Sequence, residues 1–177
     1  MNNADPESQS LIAQLLLLVV LTFINAFLAA AEIAVVSVNK NRVEQKAEDG
    51  DAKAQKLLKV LQDPNNFLST IQVGITLVNI LSGASLAETL SSRLAPVLGG
   101  GAAAKSLASI IILALLTYVS IVFGELYPKR IAMNKSEEVA QLTSGAVRFL
   151  GVIARPFVWL LSASTDLLSK IIPMTFE

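Results

Sequence analysis

Five polar or small residues recur along one apolar stretch of the chain at steps of three and four. They are Ser69, Gln72, Thr76, Asn79 and Gly83. In an α-helix this spacing places all five on one face, because a turn contains about 3.6 residues. We therefore predict a helix with one polar side, which offers hydroxyl and amide oxygens to a small cation. The alternative is a packing face, since small and hydroxyl-bearing residues let membrane helices approach each other closely.

Two carboxylates lie within or at the end of other apolar stretches. Glu32 follows Thr22 and Asn25 at helical spacing, and Glu125 stands at the end of a third stretch. An ionised carboxylate in hydrocarbon is costly unless it is paired, hydrated or bound to metal, so both are candidates for function. We expect no Lys or Arg within the spans to neutralise them, and we expect three spans to converge on one polar centre.

Both carboxylates also have a purely structural interpretation. Glu32 lies near Lys40 and Arg42 in the chain and could form an ion pair with either of them. Glu125 has Lys129 one helical turn away, which suits an exposed ion pair.

Composition limits the ligands and the class of protein. The chain has 177 residues, of which 53% are hydrophobic and 16% charged, with a mean hydropathy of +0.60, so a bilayer is its natural solvent. It contains no Cys and no His, which leaves oxygen ligands and favours hard cations such as Mg²⁺ or Na⁺. The zero net charge makes nucleic acid an unexpected partner. An enzyme is the weakest interpretation, because neither a nucleophile–base pair nor a HExxH motif is present.

Hydropathy predicts an all-α membrane protein forming a single transmembrane domain over 1–177. Three stretches are about long enough to cross the hydrocarbon core: 11–38, 67–94 and 106–123. We expect a loop over 95–105 and a break in the helix over 124–130, where glycine and proline interrupt the third span. The charged segment 40–62 suits two short amphipathic helices separated at Asp49-Gly50-Asp51.

The apolar segment 136–172 carries a polar stripe, in which Gln141, Arg148 and Arg155 recur every seven residues. Such a stripe favours amphipathic juxtamembrane helices in the interface over a fourth span, with Pro156 kinking or ending the first of them. Most Lys and Arg residues lie in 40–62 and 129–135, so the positive-inside rule predicts an outside N-terminus and a cytoplasmic C-terminus in a multi-pass plasma-membrane protein.

Three motifs resemble the CNNM/CorC (cyclin-M-like) family of divalent-cation transporters, over nearly the whole chain. The segment 124–130, GELYPKR, is similar to the family's GE-x-x-PK signature at the end of the last span. The segment 25–32, NAFLAAAE, resembles the family's first-span motif, and 67–74, FLSTIQVG, followed by Asn79, resembles its second span.

The resemblance implies a homodimer of three-span domains in the bilayer that exports Mg²⁺, with Na⁺ as the coupling ion. It also implies a cytoplasmic pair of CBS domains downstream of this chain. Carried over by position, the cation site comprises Glu125, Asn79 and a hydroxyl from Ser69 or Thr70. The implied site also includes close backbone approach at Gly74 and Gly124 and a conduction or coupling role for Glu32.

Two alternative functions accompany the resemblance. Many Mg²⁺-handling relatives have serines where this chain has Ala29 and Ala31, and some relatives with alanines are associated with export of organic cations such as polyamines. A different class of function is a non-transporting membrane anchor or sensor for cytoplasmic domains, which the interfacial helices and their basic faces would suit.

Overall fold

The computed structural model describes residues 6–172, apart from the side chains of residues 6–9, 84 and 85. Over this range the chain is almost entirely helical, as the composition and periodicity predict. The helices are α1 (Pro6–Ser37), α2 (Lys40–Glu48), α3 (Ala52–Gln62), α4 (Pro64–Leu94), α5 (Gly101–Ile121), α6 (Tyr127–Asn134) and α7 (Ser136–Ile171).

Four helical stretches in the described range are long and apolar enough to cross a bilayer. They are Ser10–Ser37, Pro64–Leu98, Gly101–Asn134 and Ser136–Ile171. The first three overlap the three predicted spans, the first ending one residue earlier than predicted, and the all-α membrane class is confirmed. The fourth is α7, which meets the same criteria of length and composition, so its placement in the interface stays a prediction.

The two short helices α2 and α3 form where the charged segment predicts them. Asn39 caps α2 by accepting a hydrogen bond from the Arg42 backbone N–H at 3.2 Å, and Asp51 caps α3 through the N–H groups of Lys53 and Ala54. Gly50 makes the turn between the helices with a φ of +92°, a conformation that glycine adopts without steric cost. The turn reverses the chain, so α2 and α3 pack against each other.

The hydrophobic core lies around the C-terminal half of α1. That helix packs against α4, α6 and α7, and the buried faces of α2 and α3 complete the cluster. Small residues bring the backbones together, since Ala31, Ala34 and Ala132 are fully buried. Large side chains such as Leu57 and Ile71 fill the space between the helices. This end of the bundle is a packed scaffold.

Three expectations about helix ends are wrong. The predicted loop over 95–105 shrinks to a 3-10 turn at Ala95–Leu98 and glycines 99–101, because α5 begins at Gly101. The predicted break over 124–130 is instead a π-helical turn at Val122–Leu126 that leads directly into α6. Pro156 neither ends α7 nor separates a second helix, since it lies inside the helix Ser136–Ile171 and its fixed φ of about −65° is a helical value.

Candidate functional site

A cavity of about 260 Å³ lies between α1, α4 and α5, toward the middle of the long helices. Each of the three helices contributes both polar and apolar side chains. The polar and small residues of the lining are Thr22, Asn25, Asn79, Ser82, Gly83, Thr117, Ser120 and Glu125, and the apolar ones are Leu18, Leu21, Val78, Leu113, Leu116 and Ile121. Glu125 is the one carboxylate among them.

Asn25 is the most unusual residue of the lining. Its side chain is 1% exposed, yet neither its amide nitrogen nor its carbonyl oxygen has a hydrogen-bond partner among the described residues. An unpaired buried amide costs about 1–3 kcal/mol, so natural proteins rarely keep one without a ligand, a water or an ion to satisfy it. The amide is therefore available to a group that enters the cavity.

Gly124 makes room for Asn25. A methyl group at Gly124 would lie 3.0 Å from the Asn25 Nδ2 atom, closer than ordinary van der Waals contact. Gly74 has a similar role between α1 and α4, because a methyl group there would lie 2.7 Å from the Leu28 Cδ1 atom. Neither glycine is part of the cavity lining, but Gly124 lies against Asn25, which is, whereas Gly74 lies against Leu28 outside the lining.

The π-helical turn sets the orientation of Glu125. In a regular α-helix, residues five apart such as Ser120 and Glu125 differ by roughly 140° around the axis. The Tyr127 N–H bonds to the Val122 carbonyl instead, which is the i→i+5 pattern of a π-turn and brings residues five apart closer to one face. Glu125 consequently lines the cavity together with Ser120 and Thr117.

Thr117 and Ser120 were not singled out by the sequence pattern. In the sequence these two residues are three apart within an uncharged stretch. That spacing indicates only that they share a helix face. The structure shows that α5 contributes these two hydroxyls to the cavity, which Asn79 and Asn25 also line.

Glu32 lies outside the cavity and is neutralised by an unexpected partner. The Lys129 Nζ atom lies 3.1 Å from a Glu32 carboxylate oxygen, and both side chains are about one-third exposed. This pair connects α1 to α6. Lys129 lies outside the predicted span 106–123, so this pair does not contradict the expectation that the spans themselves contain no Lys or Arg for Glu32. The suggested pairs of Glu32 with Lys40 or Arg42 and of Lys129 with Glu125 are wrong.

Ser69 and Thr70 also lie away from the cavity, near α7. The Thr70 hydroxyl is buried and donates to the Asn66 carbonyl at 2.9 Å. Ser69 lines a shallow cleft beside Arg155 and Trp159. The structure therefore brings Asn79 and Glu125 together but leaves the two hydroxyls of the implied site elsewhere.

The predicted polar stripe on α4 is divided between two neighbours. Asn79 and Gly83 line the cavity, whereas Gln72 and Thr76 line an apolar groove against α7. A helix of 31 residues extends about 47 Å, so one face meets different helices at different heights.

The lining offers one carboxylate, two amides and several hydroxyls, whose oxygens are of the kind that hard cations accept as ligands. Within the described residues no group of three or more acidic side chains, Cys or His is placed to hold a metal. Binding in this cavity would thus depend on neutral oxygens and retained water in addition to Glu125. Such a site suits an ion that must leave again, since a cage of carboxylates would retain it.

These features define a helical membrane-protein domain with a polar cavity between its long helices. The family model of the Cyclin M transmembrane N-terminal domain matches residues 16–177, and the chain belongs to this CNNM family.

Curated relatives support the assignment to the family. The chain is 38% identical to the UPF0053 protein sll0260 of Synechocystis over 95% of its own length and 38% of that protein. It is 33% identical to the UPF0053 inner membrane protein YfjD of Escherichia coli, over 83% of the chain and 32% of the relative. It is 32% identical to a polyamine export protein of Haemophilus influenzae, over 82% and 34% respectively. The chain thus spans about a third of the length of these relatives.

Proposed function

We propose that this domain exports Mg²⁺ across the membrane by Na⁺-coupled secondary transport, with the cavity between α1, α4 and α5 as the cation site. The observation that carries the proposal is the unpartnered, buried amide of Asn25 in a cavity that also contains Asn79 and Glu125. Family membership and the multi-pass membrane character support transport as the general function.

The chemistry of the lining favours a divalent metal ion that keeps part of its water shell. Mg²⁺ prefers oxygen ligands and gives up water reluctantly. A cavity of about 260 Å³ holds such an ion with several waters. Glu125 supplies charge, and the carbonyl oxygens of Asn25 and Asn79 replace some of the lost water. Ser69, Thr70 and Glu32 receive no ligand role, because they lie outside the cavity.

The proposed assembly is a homodimer with an outside N-terminus and a cytoplasmic C-terminus in the plasma membrane, joined to a cytoplasmic CBS pair in a longer protein. The concentration of Lys and Arg in α2, α3 and α6 supports this orientation. The chain covers only about a third of each relative, which supports further domains in the longer protein.

Flux of Mg²⁺ in proteoliposomes tests the cation site. We expect Glu125→Gln and Asn79→Ala each to reduce Na⁺-driven flux at least about tenfold, by analogy with the loss of groups that support a bound metal. Matched controls are Glu88→Gln and Asn134→Ala, which alter exposed residues outside the cavity. Equal flux for the site variants and their controls would exclude the proposed site.

Polyamine export is the second candidate function. It is favoured by the similarity to the Haemophilus polyamine export protein and by the six apolar residues of the cavity lining, which suit a methylene chain. Ala29 and Ala31 are fully buried and lie outside the cavity lining. Among the described side chains of α1, only Thr22 and Asn25 bring oxygens to the lining.

The presence of one carboxylate favours the metal ion. A diamine has two separated ammonium groups, and the cavity offers Glu125 to only one of them. Competition experiments distinguish the two candidate functions. If the domain exports Mg²⁺, unlabelled putrescine should leave Mg²⁺ flux unchanged. Transport of labelled putrescine that Mg²⁺ fails to inhibit would favour polyamine export. Absence of any saturable flux, with a stable dimer, would favour the anchor interpretation.

A further inference from the structure

A basic cleft lies between α3, the start of α4 and α7, away from the cation cavity. Its volume is about 230 Å³, and three cationic side chains line it: Lys59, Arg148 and Arg155. Arg148 and Arg155 are the two charged members of the seven-residue stripe on α7. The structure turns the stripe toward α3 and α4 over this part of the helix.

These three cations have no ion-pair partner within the described part of the chain. By contrast, Arg42 and Lys46 on α2 both pair with Glu137 of α7. The side chains of Lys59, Arg148 and Arg155 are all exposed, so a ligand can reach them.

One acidic residue, Asp63, lines the same cleft, which leaves an excess of two positive charges there. Asp63 also stands at the N-cap of α4 without a side-chain hydrogen bond to the helix. The first backbone N–H groups of this 31-residue helix are therefore not capped by that carboxylate, and they add a partial positive charge beside Asn66.

An apolar groove of about 580 Å³ lies near the cleft, again between α4 and α7. Its lining is almost entirely hydrocarbon and includes Val73, Leu77, Ala154, Phe157 and Leu161. Ala154 and Arg155 are consecutive residues that line the groove and the cleft respectively. A single molecule with an anionic head and a hydrocarbon chain can therefore contact both.

We propose that the cleft and the groove together form a binding site for an acidic phospholipid. The phosphate group contacts Arg148, Arg155 and Lys59, and an acyl chain occupies the groove between α4 and α7. Guanidinium groups suit this ligand, because their planar N–H donors match phosphate oxygens in pairs. A bound lipid would hold α3, α4 and α7 together at one surface of the bilayer, independently of the cation that the domain transports.

Lipid retention measured by native mass spectrometry tests the site. The 177-residue protein is exchanged into mixed micelles that contain phosphatidylglycerol and phosphatidylcholine, and bound copies of each lipid are counted. We expect Arg148→Gln/Arg155→Gln to weaken phosphatidylglycerol binding about 30-fold, equivalent to about 2 kcal/mol at about 1.4 kcal/mol per tenfold change. The control Lys105→Gln/Lys170→Gln removes the same charge from exposed positions outside the cleft. Equal losses in the two double variants would overturn the site, because they would show nonspecific attraction only.

Two further variants distinguish binding of the lipid headgroup from binding of its acyl chain. Arg148→Lys/Arg155→Lys keeps the charge but loses the paired N–H donors, so it should bind phosphatidylglycerol more tightly than the Gln variant and less tightly than the wild type. Retained phosphatidylcholine binding by the Gln variant shows that its loss is not misfolding. Ala154→Phe fills the groove and should reduce phosphatidylglycerol retention without changing charge. If inorganic phosphate displaces the lipid at equal concentration, the ligand is a free phosphate group and the lipid assignment is wrong. If Ala154→Phe leaves phosphatidylglycerol retention unchanged, the acyl chain does not occupy the groove and the combined site is wrong.

Discussion

Replacing Asn25 with leucine should stabilise the protein and abolish transport at the same time. The Asn25 side chain is buried and its two polar atoms have no partner among the described residues. Leucine has nearly the same shape and no polar atoms, so the substitution removes an unsatisfied buried group that costs about 1–3 kcal/mol. It also removes an amide that we propose as a cation ligand.

The expected gain can be measured as a change in the midpoint of thermal unfolding. For a domain of this size, about 1 kcal/mol corresponds to about 2–4 °C, so Asn25→Leu should raise the midpoint by about 2–12 °C in the absence of Mg²⁺. Added Mg²⁺ should raise the midpoint of the wild type, because a ligand that binds only the folded state stabilises it. The same addition should leave the variant unchanged.

Thr143→Val is the matched control for a buried polar group with a partner. The Thr143 hydroxyl is buried and donates to the Val139 carbonyl at 2.8 Å, far from the cavity. Its replacement should give no gain in stability and no change in flux. A lower midpoint for Asn25→Leu together with normal Mg²⁺ flux would refute the reasoning, because Asn25 would then be a structural residue.

Three further substitutions test the packing beside the cavity and the contacts of the short helices α2 and α3. The methyl group of Gly124→Ala would lie 3.0 Å from the Asn25 amide nitrogen, so this variant should displace the amide and lower Mg²⁺ flux. The control Gly145→Ala, whose methyl group meets no neighbour, should leave flux unchanged. Glu137→Gln removes two partly exposed ion pairs between α7 and α2, so the midpoint should fall by an amount equivalent to about 1 kcal/mol, and proteolysis of 40–62 should quicken. Hydrogen bonds from the backbone N–H groups of Ala54 and Lys53 lower the pKa of Asp51 below 3.8. The stability that this carboxylate gives to α3 is therefore present above about pH 4 and lost as pH falls through the lowered pKa; the midpoint of Asp51→Asn should lack that acid-dependent loss.

The secondary structure follows closely from local features of the sequence. Asp51 and Gly50 mark the start of α3 and the turn before it, and the apolar residues Val43, Ala47 and Leu57 predict the buried faces of the two short helices. These signals are local, because capping and amphipathicity depend on residues within a few turns. The continuation of helix through Pro156 was missed, since proline weakens a helix without excluding one.

The site was only partly predictable. Asn79, Gly124 and Glu125 belong to motifs, and the structure places them at or beside one cavity. Motif membership does not give distance, and Ser69 and Thr70 lie near α7 instead. Their location depends on which helix packs against each height of α4, and spacing along a single helix contains no such information.

The sequence by itself determined that this protein lies in a bilayer, where its helices form and which ligand atoms are available. Long apolar stretches require a bilayer, and a chain without Cys or His has only oxygen ligands for a metal ion. Only the tertiary structure decided which carboxylate faces the cavity. Lys129 neutralises Glu32, and the π-helical turn directs Glu125 to the cavity where the unpartnered amide of Asn25 lies. Pairing and orientation are contacts between distant segments, and they arise only when the helices pack.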